Sequence, residues 1–317
     1  MNAPSTPTVG RLAPSPTGHL HVGHALSFLA AWWSARSAGG QVVLRMEDLD
    51  RSRSRPQYVD DAREDLEWLG LDWDRTFVQS DDLEPYRRAV ASLLDDGLAY
   101  ACTCSRKEIA ATVSAPHASD GEMRYSGTCR GRYASVQSAE EESGSPAGVR
   151  FRVPDGEHAI IDELRGRIAR APSQEAGDFL LMRRDGAVAY QLACVVDDAR
   201  QGVTEVVRGD DLLPSAVRQH LLQSVLQLPH PRQVHLPLVV DASGRRLSKR
   251  DGDLTLRALR ARGIDPSVVT SWAAATLGFG RTGDQRTAPE WTADFTFDHV
   301  GRDPIVLDPE TFSARLA

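Results

Sequence analysis

Short apolar runs alternate with longer stretches of helical periodicity along the first hundred residues. The run TVGRLA predicts a buried strand, and residues 18–39 predict a long helix that ends at two glycines. A second strand, GQVVLRMEDLD, carries acidic residues at its carboxyl end, and SRPQYVDDAREDLEWLG and LEPYRRAVASLLDDG are expected to be helices before the strand-like LAYAC. Strand–helix–strand alternation with short connections predicts a parallel α/β sheet.

The pattern breaks between about Cys102 and Pro172. SAPHASDGEM and SVQSAEEESGSPAG are polar and rich in turn residues, and the second is predicted to be a mobile, solvated loop. VRFRVPDG and AIIDELRGRI are predicted strands of a smaller insertion. The α/β pattern returns in DFLLMRRDGAVAYQLACVVDD and TEVVRGDDLLPSAVRQHLLQSVLQL, and two helices, LTLRALRARG and PSVVTSWAAATLGF, are expected near the C-terminus.

Composition narrows the class of protein without identifying it. The 317 residues are 41% hydrophobic and 26% charged, which is ordinary for a globular chain. A net charge of −7 argues against a broad electrostatic clamp on nucleic acid, although it allows a local basic groove. No apolar run reaches the length of a membrane span, and MNAPSTPTVG lacks the features of a signal peptide. We therefore expect a cytoplasmic protein that does not contact membranes.

Three histidines crowd the stretch PTGHLHVGH, where the first strand gives way to the first helix. His21 and His24 fall at the start of that helix, whose exposed N–H groups and positive dipole end favour anions. Gly23 allows a nucleotide to approach the backbone closely. Phosphate binding, a structural role at the helix cap and a metal site are the alternatives. Zinc is disfavoured because no third ligand lies nearby at metal spacing, and His19 is assigned no role.

A second segment, GRRLSKRDG, is a glycine-bounded loop with a dense cluster of basic residues. Such a loop suits the binding of a polyphosphate, with Lys249 placed on developing negative charge. The alternative is a solvated basic turn. Phosphate binding is favoured when the loop is considered with the histidine segment.

Together the two segments resemble the paired signatures of class I aminoacyl-tRNA synthetases, HIGH and KMSKS. The resemblance implies that His21, His24 and Lys249 are catalytic and that ATP, accompanied by Mg²⁺, is a substrate. The implied ATP-binding residues are His21, Gly23, His24, Ser248 and Lys249, and the implied motif loop is Arg246, Leu247, Ser248, Lys249 and Arg250.

RLAPSPTGHLHVGH, VLRMEDLD and YQLACVVDDARQGVTEVVRGDDL are similar to segments of glutamyl-tRNA synthetases and their truncated paralogues. The resemblance implies an L-glutamate pocket in which Arg11 and Arg208 face the carboxylates and Glu47 takes the ammonium. Its implied residues are Arg11, Leu12, Ala13, Pro14, Ser15, Glu47, Tyr190 and Arg208. Two guanidinium groups and one acid suit a ligand with two carboxylates and one ammonium, although each arginine taken alone fits a surface ion pair. Arg45, Asp48 and Asp50 are interpreted as helpers or surface charge.

The resemblance also implies a domain plan. We expect a Rossmann-like class I catalytic core with a small zinc-bearing insertion and a short helical C-terminal region. Its expected divisions are residues 1–100 and 176–252 for the two halves of the catalytic domain, 101–175 for the insertion and 253–317 for the C-terminal region.

Three cysteines in the expected insertion have a spacing that suits one tetrahedral ion. Cys102 and Cys104 are separated by one residue and Cys129 follows later, while a cytoplasmic location disfavours disulfides. In the truncated paralogues a Cys-x-Cys and Tyr-x-x-x-Cys arrangement binds zinc, so the resemblance implies Tyr125 as the fourth ligand, with His117 as the alternative. We expect one structural zinc ion, and Cys194, in an apolar run, is expected to be a buried core thiol.

The chain departs from ordinary glutamyl-tRNA synthetases after the basic loop. Residues 251–317 are too few for the helical domain that reads the anticodon in those enzymes. The chain thus resembles the glutamyl-Q tRNA(Asp) synthetases, which implies glutamate activation without tRNA and transfer to the queuosine base in the anticodon stem-loop of tRNA(Asp). A monomer is expected. The alternatives are a truncated glutamyl-tRNA synthetase that charges a tRNA 3′ end, or an idle paralogue that binds tRNA or an amino acid.

Overall fold

The computed structural model describes residues 7–112, 124–245, 254–281, 283–307 and 312. The predictions made for the motif loop, including Ser248 and Lys249, lie outside the described residues. The same holds for His117.

The N-terminal part forms a parallel three-stranded sheet, as the apolar pattern predicts. Its strands are β1 (Val9–Leu12), β2 (Gln41–Met46) and β3 (Arg75–Val78), in the order β1-β2-β3. Helices α1 (Val22–Ser37) and α2 (Pro56–Trp68) connect them, and α3 (Glu84–Asp95) follows. The central apolar residues of β2 are completely buried, which explains why that strand reads as a continuous apolar run.

A second sheet continues the first. It contains β6 (His158–Asp162), β7 (Gly166–Arg170), β9 (Glu205–Gly209) and β10 (Arg232–Leu236), with α8 (Leu213–Val225) between the last two strands. The Thr204 N–H donates to the Val9 carbonyl at 3.0 Å, and the Val9 N–H donates to the Thr204 hydroxyl at 2.8 Å. Strand β9 therefore lies beside β1, and the strand order reverses between them. Open α/β sheets bind their ligands at such a switch point.

Two expectations for the middle of the chain were wrong. AIIDELRGRI does not form strands of a separate insertion, because β6 pairs with β10 and β7 pairs with β6, so this hairpin extends the second sheet. SVQSAEEESGSPAG is not simply a loop, because it contains helix α5 (Val136–Ser143). The Ser135 hydroxyl accepts from the Ser138 N–H at the start of α5, and Gly144 ends the helix in a left-handed conformation.

A smaller antiparallel sheet lies beside the main one. Its strands are β4 (Ala99–Cys102), β5 (Gly148–Phe151) and β8 (Leu180–Met182), in the order β4-β5-β8. The helices of this region are α4 (Arg106–Thr112), α6 (Pro172–Glu175) and α7 (Tyr190–Gln201). This sheet combines strands from three of the expected divisions of the chain, whose boundaries remain a prediction.

The C-terminal part packs against α1. It contains the predicted helices α9 (Leu256–Ala261) and α10 (Pro266–Thr276) and the short parallel pair β11 (Val239–Val240) and β12 (Ile305–Val306). Trp33 of α1 is fully buried, and its indole N–H donates to the Ala288 carbonyl at 2.8 Å. The rings of Phe279 and Phe295 pack against that indole. Within the described ranges, no helix is both long enough and apolar enough to cross a bilayer.

The contact between Trp33 and Ala288 yields a prediction about stability. Trp33→Phe should lower the free energy of unfolding by about 1–3 kcal/mol, because it leaves a buried carbonyl without its donor and removes packed atoms. Chemical denaturation followed by circular dichroism measures the change. Trp68→Phe, at a half-buried position, is the matched control. A loss in Trp33→Phe no larger than that of the control would contradict the prediction.

Candidate active site

A cavity of about 300 Å³ opens at the switch point between β1 and β9. Most of the residues predicted for the amino-acid and phosphate sites line it, namely Arg11, Ala13, Pro14, Ser15, His21, Gly23, His24, Glu47, Tyr190 and Arg208. Leu12 is different: its side chain is fully buried in the core and does not line the cavity. Neighbouring residues of a strand face opposite sides, so Leu12 turns away where Arg11 turns towards the cavity. The cavity is also lined by residues that the sequence analysis did not assign to it, among them His19, Ser27, Phe28, Asp211 and Leu238.

His21 and His24 together form the N-terminal cap of α1. The Nδ1 atom of His21 accepts from the Gly23 N–H at 3.1 Å, and the Nδ1 atom of His24 accepts from the His21 N–H at 3.2 Å. The arrangement is a capping box built from two imidazoles, whose ring centroids lie 3.8 Å apart. The structural and the phosphate-binding interpretations of these residues are therefore compatible.

The cap also defines the chemistry of the two imidazoles. A neutral imidazole that accepts at Nδ1 carries its proton on Nε2, so each ring has an N–H donor on the side away from the cap. Donors of this kind, beside a helix N-terminus, suit phosphate oxygens. His19 lies at the rim of the same cavity, where its Nδ1 atom is 2.9 Å from the Asp61 carboxylate.

Glu47 is held at the cavity by a completely buried arginine. The Arg45 guanidinium donates to Glu47 Oε1 at 3.1 Å and to Asp198 Oδ1 at 2.7 Å. The other carboxylate oxygen of Glu47 accepts from the Ser15 hydroxyl at 3.4 Å. Asp198 also lies 3.7 Å from the Arg11 guanidinium. Arg45 is therefore a buried partner of Glu47 and not a surface charge.

Arg208 differs from Arg11 and Arg45 in its charge balance. It is 6% exposed, and no carboxylate in the described part of the chain forms an ion pair with it. Its guanidinium donates to His235 Nε2 at 3.0 Å, to the Tyr190 hydroxyl at 3.4 Å and to the Gln233 side-chain oxygen at 3.4 Å. A buried cation with only neutral partners at the wall of a cavity favours an anionic ligand.

Cys194 and the neighbouring acids complete the surroundings of Glu47. Cys194 is buried, as predicted, and its Sγ atom lies 3.7 Å from Glu47 Oε1. Burial and the Glu47 charge raise the pKa of the Cys194 thiol well above its ordinary value, so the thiol is neutral. Asp48 accepts from the Ser80 N–H and hydroxyl, and Asp50 accepts from the Ser52 hydroxyl, so both have structural partners.

The three predicted cysteines meet away from the cavity. The Sγ atoms of Cys102, Cys104 and Cys129 all lie within 4.8 Å of one another, and no other group of three His, Cys, Asp or Glu in the described ranges is close enough to share an ion. Cys104 Sγ and Cys129 Sγ are 3.5 Å apart. A tetrahedral zinc ion places its sulfur ligands about 3.8 Å from one another, so the cluster fits such an ion.

The Tyr125 hydroxyl lies beside the sulfur atoms of this cluster. It is 3.3 Å from Cys102 Sγ and 3.6 Å from Cys104 Sγ, and the Cys129 N–H donates to it at 2.9 Å. Its backbone N–H donates to the Ala176 carbonyl at 2.9 Å. Gly177 follows with a φ of +68°, where an added Cβ would overlap the Tyr125 carbonyl, so the close approach of these two segments needs a glycine.

Arg150 provides positive charge beside the cysteine cluster. Its Nε–H donates to Cys102 Sγ at 3.3 Å, and its guanidinium lies 3.9 Å from the centre of the Tyr125 ring. A cation in contact with thiolates compensates the negative charge that several sulfur ligands bring to one ion. The donor set and its surroundings therefore fit a structural metal.

Comparisons with known proteins identify the family of this chain. Residues 8–296 match the family described as tRNA synthetases class I (E and Q), catalytic domain. A glutamyl-Q tRNA(Asp) synthetase from Symbiobacterium thermophilum is 42% identical over 96% of this chain and 97% of its own length. A glutamate–tRNA ligase from Trichlorobacter lovleyi is 38% identical over 95% of this chain and 63% of its own length.

A solved structure agrees at the level of the fold. The crystal structure of a glutamate tRNA ligase from Elizabethkingia meningosepticum, in complex with its amino acid, has a TM-score of 0.82 and 25% identity, and the match covers 98% of this chain and 69% of that one. The prediction of an ATP-dependent ligase with a class I catalytic fold is confirmed. The chain belongs to the class I tRNA synthetases of the E and Q group.

Proposed function

We propose that this chain activates L-glutamate with ATP, without needing tRNA, and transfers it to the queuosine base in the anticodon of tRNA(Asp). The observation that carries glutamate activation is Arg208, a buried cation at a cavity wall whose partners among the described residues are all neutral. Glu47 and the cap histidines open into the same cavity. An acidic amino acid and a nucleotide are the ligands that these groups complement.

Glutamate recognition rests on the charges at the cavity. Arg208 and Arg11 receive the two carboxylates of glutamate, and Glu47 receives the ammonium. Arg11 shares the Asp198 carboxylate with Arg45, whereas Arg208 brings a charge with no carboxylate partner in the described part of the chain. Bound glutamate therefore balances a charge that the protein itself leaves unbalanced.

In the activation step, the glutamate α-carboxylate attacks the α-phosphorus of ATP in line with the leaving pyrophosphate. Glutamyl-adenylate and pyrophosphate result. His21, His24 and the N-terminus of α1 donate hydrogen bonds to phosphate oxygens, and Lys249 supplies charge from the motif loop. Magnesium that arrives with ATP neutralises part of the phosphate charge. Positioning and electrostatics carry this chemistry.

In the transfer step, a hydroxyl of the queuosine cyclopentene ring attacks the adenylate carbonyl. An ester forms and AMP leaves. Two relatives named glutamyl-Q tRNA(Asp) synthetase support this acceptor, because they match the chain over 97% and 95% of their own lengths. The net charge of −7 supports a compact contact with one RNA stem-loop.

We assign the cysteine cluster to one zinc ion with a structural role. The ligands are Cys102, Cys104, Cys129 and Tyr125. The ion would connect the end of β4 with the segment that contains Tyr125 and Cys129. It would thereby stabilise a small antiparallel sheet.

The function is tested by isotope exchange between ATP and pyrophosphate. The protein should exchange label when glutamate is present and tRNA is absent, and it should then glutamylate tRNA(Asp) only when queuosine is present. Absence of glutamate-dependent exchange would exclude activation by this chain. Exchange followed by charging of tRNA(Glu) at its 3′ end would instead favour the truncated glutamyl-tRNA synthetase.

The role of Arg208 gives a mutational prediction. Arg208→Gln should raise the KM for glutamate in the exchange assay about 10- to 100-fold, since a charge-assisted hydrogen bond contributes about 1.5–3 kcal/mol. The KM for ATP should change little. Arg183→Gln, which alters an exposed pair with Asp185, is the matched control. An unchanged KM for glutamate in Arg208→Gln would contradict the assignment.

The metal assignment can be examined by elemental analysis. The purified protein should contain one zinc per chain, and Cys102→Ser should lose it. Tyr125→Phe should weaken zinc retention against a chelator, whereas His117→Ala should not. Cys194→Ser is the control for cysteine replacement. Full zinc content in Cys102→Ser would refute the site, and zinc loss confined to His117→Ala would transfer the fourth position to His117.

A further inference from the structure

We propose that Asp162 and His235 form a positioning pair that orients Arg208 towards the substrate carboxylate. The proposal rests on the proposed glutamate activation and extends it to two residues that do not line the cavity. No sequence motif marks either residue. Three neighbouring strands bring them together.

The sheet places the three side chains in a row. Arg208 on β9 and His235 on β10 are direct partners in the parallel register. Asp162 is the last residue of β6, the neighbour of β10 on the other side. All three are buried, with exposures of 6%, 0% and 2%. Water therefore competes little for the hydrogen bonds between them.

A directed chain of hydrogen bonds connects these side chains. Asp162 Oδ1 accepts from the backbone N–H groups of Leu164 and Arg165 at 3.0 and 2.9 Å, which fixes the carboxylate at the β6–β7 turn. Asp162 Oδ2 then accepts from the Nδ1–H of His235 at 2.6 Å. His235 Nε2 accepts from the Nε–H of Arg208 at 3.0 Å.

This chain requires one tautomer of a neutral His235. Arg208 is a donor only, so Nε2 of His235 must be unprotonated and its proton must lie on Nδ1. Burial lowers the pKa of His235 to about 4, and this outweighs the Asp162 contacts, which raise it. The imidazole is therefore neutral, and the Asp162 carboxylate selects the Nδ1–H form, as carboxylates do for other functional histidines.

The imidazole between the two charges has a functional consequence. A carboxylate in direct contact with Arg208 would neutralise it and compete with the substrate. A neutral acceptor fixes the guanidinium through Nε without cancelling its positive charge, and Nη1 then lies 3.4 Å from the hydroxyl of Tyr190, a residue of the cavity wall. Asp162 does not contact Arg208 directly. It acts on Arg208 by selecting the tautomer of His235.

Asp162→Asn tests this mechanism with little change in shape. The amide oxygen of asparagine can keep both backbone hydrogen bonds, so its NH₂ group faces His235 Nδ1 and forces the proton to Nε2, against the Nε–H of Arg208. We expect the KM for glutamate to rise about 10- to 100-fold, with the KM for ATP changed less than about threefold. Asp65→Asn, a buried aspartate paired with Arg260 outside the cavity, is the matched control and should leave both values unchanged.

The same substitution in a His235→Gln parent distinguishes tautomer selection from a general loss of structure. In His235→Gln the amide oxygen can accept from Arg208 without help from Asp162. Asp162→Asn added to His235→Gln should therefore raise the KM for glutamate less than about threefold further. An equal rise in both backgrounds would mean that Asp162 does not act through His235, and would overturn the proposal.

The tautomer itself can be observed without an activity assay. In protein labelled with ¹⁵N-histidine, the signals absent from His235→Gln belong to His235. They should show a protonated Nδ1 and an unprotonated Nε2 in the parent chain, and the reverse in Asp162→Asn. A protonated Nε2 in the parent chain overturns the inference whether or not glutamate is the substrate. Absence of glutamate-dependent exchange in the parent chain counts against the proposed function and leaves this spectroscopic result intact.

Discussion

Arg45 carries a full positive charge at a completely buried position, and the site is arranged around the carboxylates that compensate it. Glu47 directly follows the same strand, while Asp197 and Asp198 come from α7, far along the chain. Removing one partner of a buried ion pair costs about 3–5 kcal/mol, because it leaves the other charge uncompensated. This cluster therefore ties β2 of the first sheet to the helix that begins at Tyr190. It joins the two parts of the chain between which the cavity lies.

The same cluster explains how the charged side chains at the cavity are oriented. Glu47 directs one oxygen to Arg45 and the other to Ser15 at the cavity. Asp198 forms ion pairs with both Arg45 and Arg11. The carboxylate that holds Arg11 at the cavity wall is therefore only partly available to compensate its charge. Arg208 lies outside this arrangement, and its partners within the described ranges are neutral. Arg208 thus brings a positive charge to the cavity wall although the whole chain is acidic.

Local sequence patterns predicted the elements that are fully buried in the core or that are stabilised by local interactions. The apolar run of β2 and the long helix α1 are examples, because burial on a core imposes their periodicity. Helix α5 was missed because it buries only Ala139 and depends on Ser135 and Gly144 at its ends. The β6–β7 hairpin was assigned to the wrong region because its partner strand, β10, lies far away in sequence. Pairing between distant strands leaves no mark in the local pattern.

The candidate site follows the same division. Motifs identified many of the residues that line the cavity, but they did not assign His19, Ser27, Phe28, Asp211 and Leu238 to it. They also included Leu12, whose side chain the strand turns into the core. The sequence leaves Arg45 open between a helper and a surface charge, because Asp198, its partner from α7, becomes a neighbour only in the folded protein. His235 and Asp162 gave no signal for the same reason: they are 73 residues apart in sequence and meet only because β6 and β10 are adjacent.

At each end of the cavity, a hydrogen bond within the protein orients a side chain that we propose binds the ligand. At the start of α1, Nδ1 of each cap histidine accepts from a backbone N–H, which places the ring proton of a neutral imidazole on Nε2. At β9, the Nε–H of Arg208 is occupied by a neutral imidazole, which fixes the guanidinium without cancelling its charge. In each case a buried hydrogen bond fixes the direction of the group before a ligand arrives. Less conformational entropy is then lost when an anion binds, and for that reason a small cavity with few charges can hold a highly charged ligand.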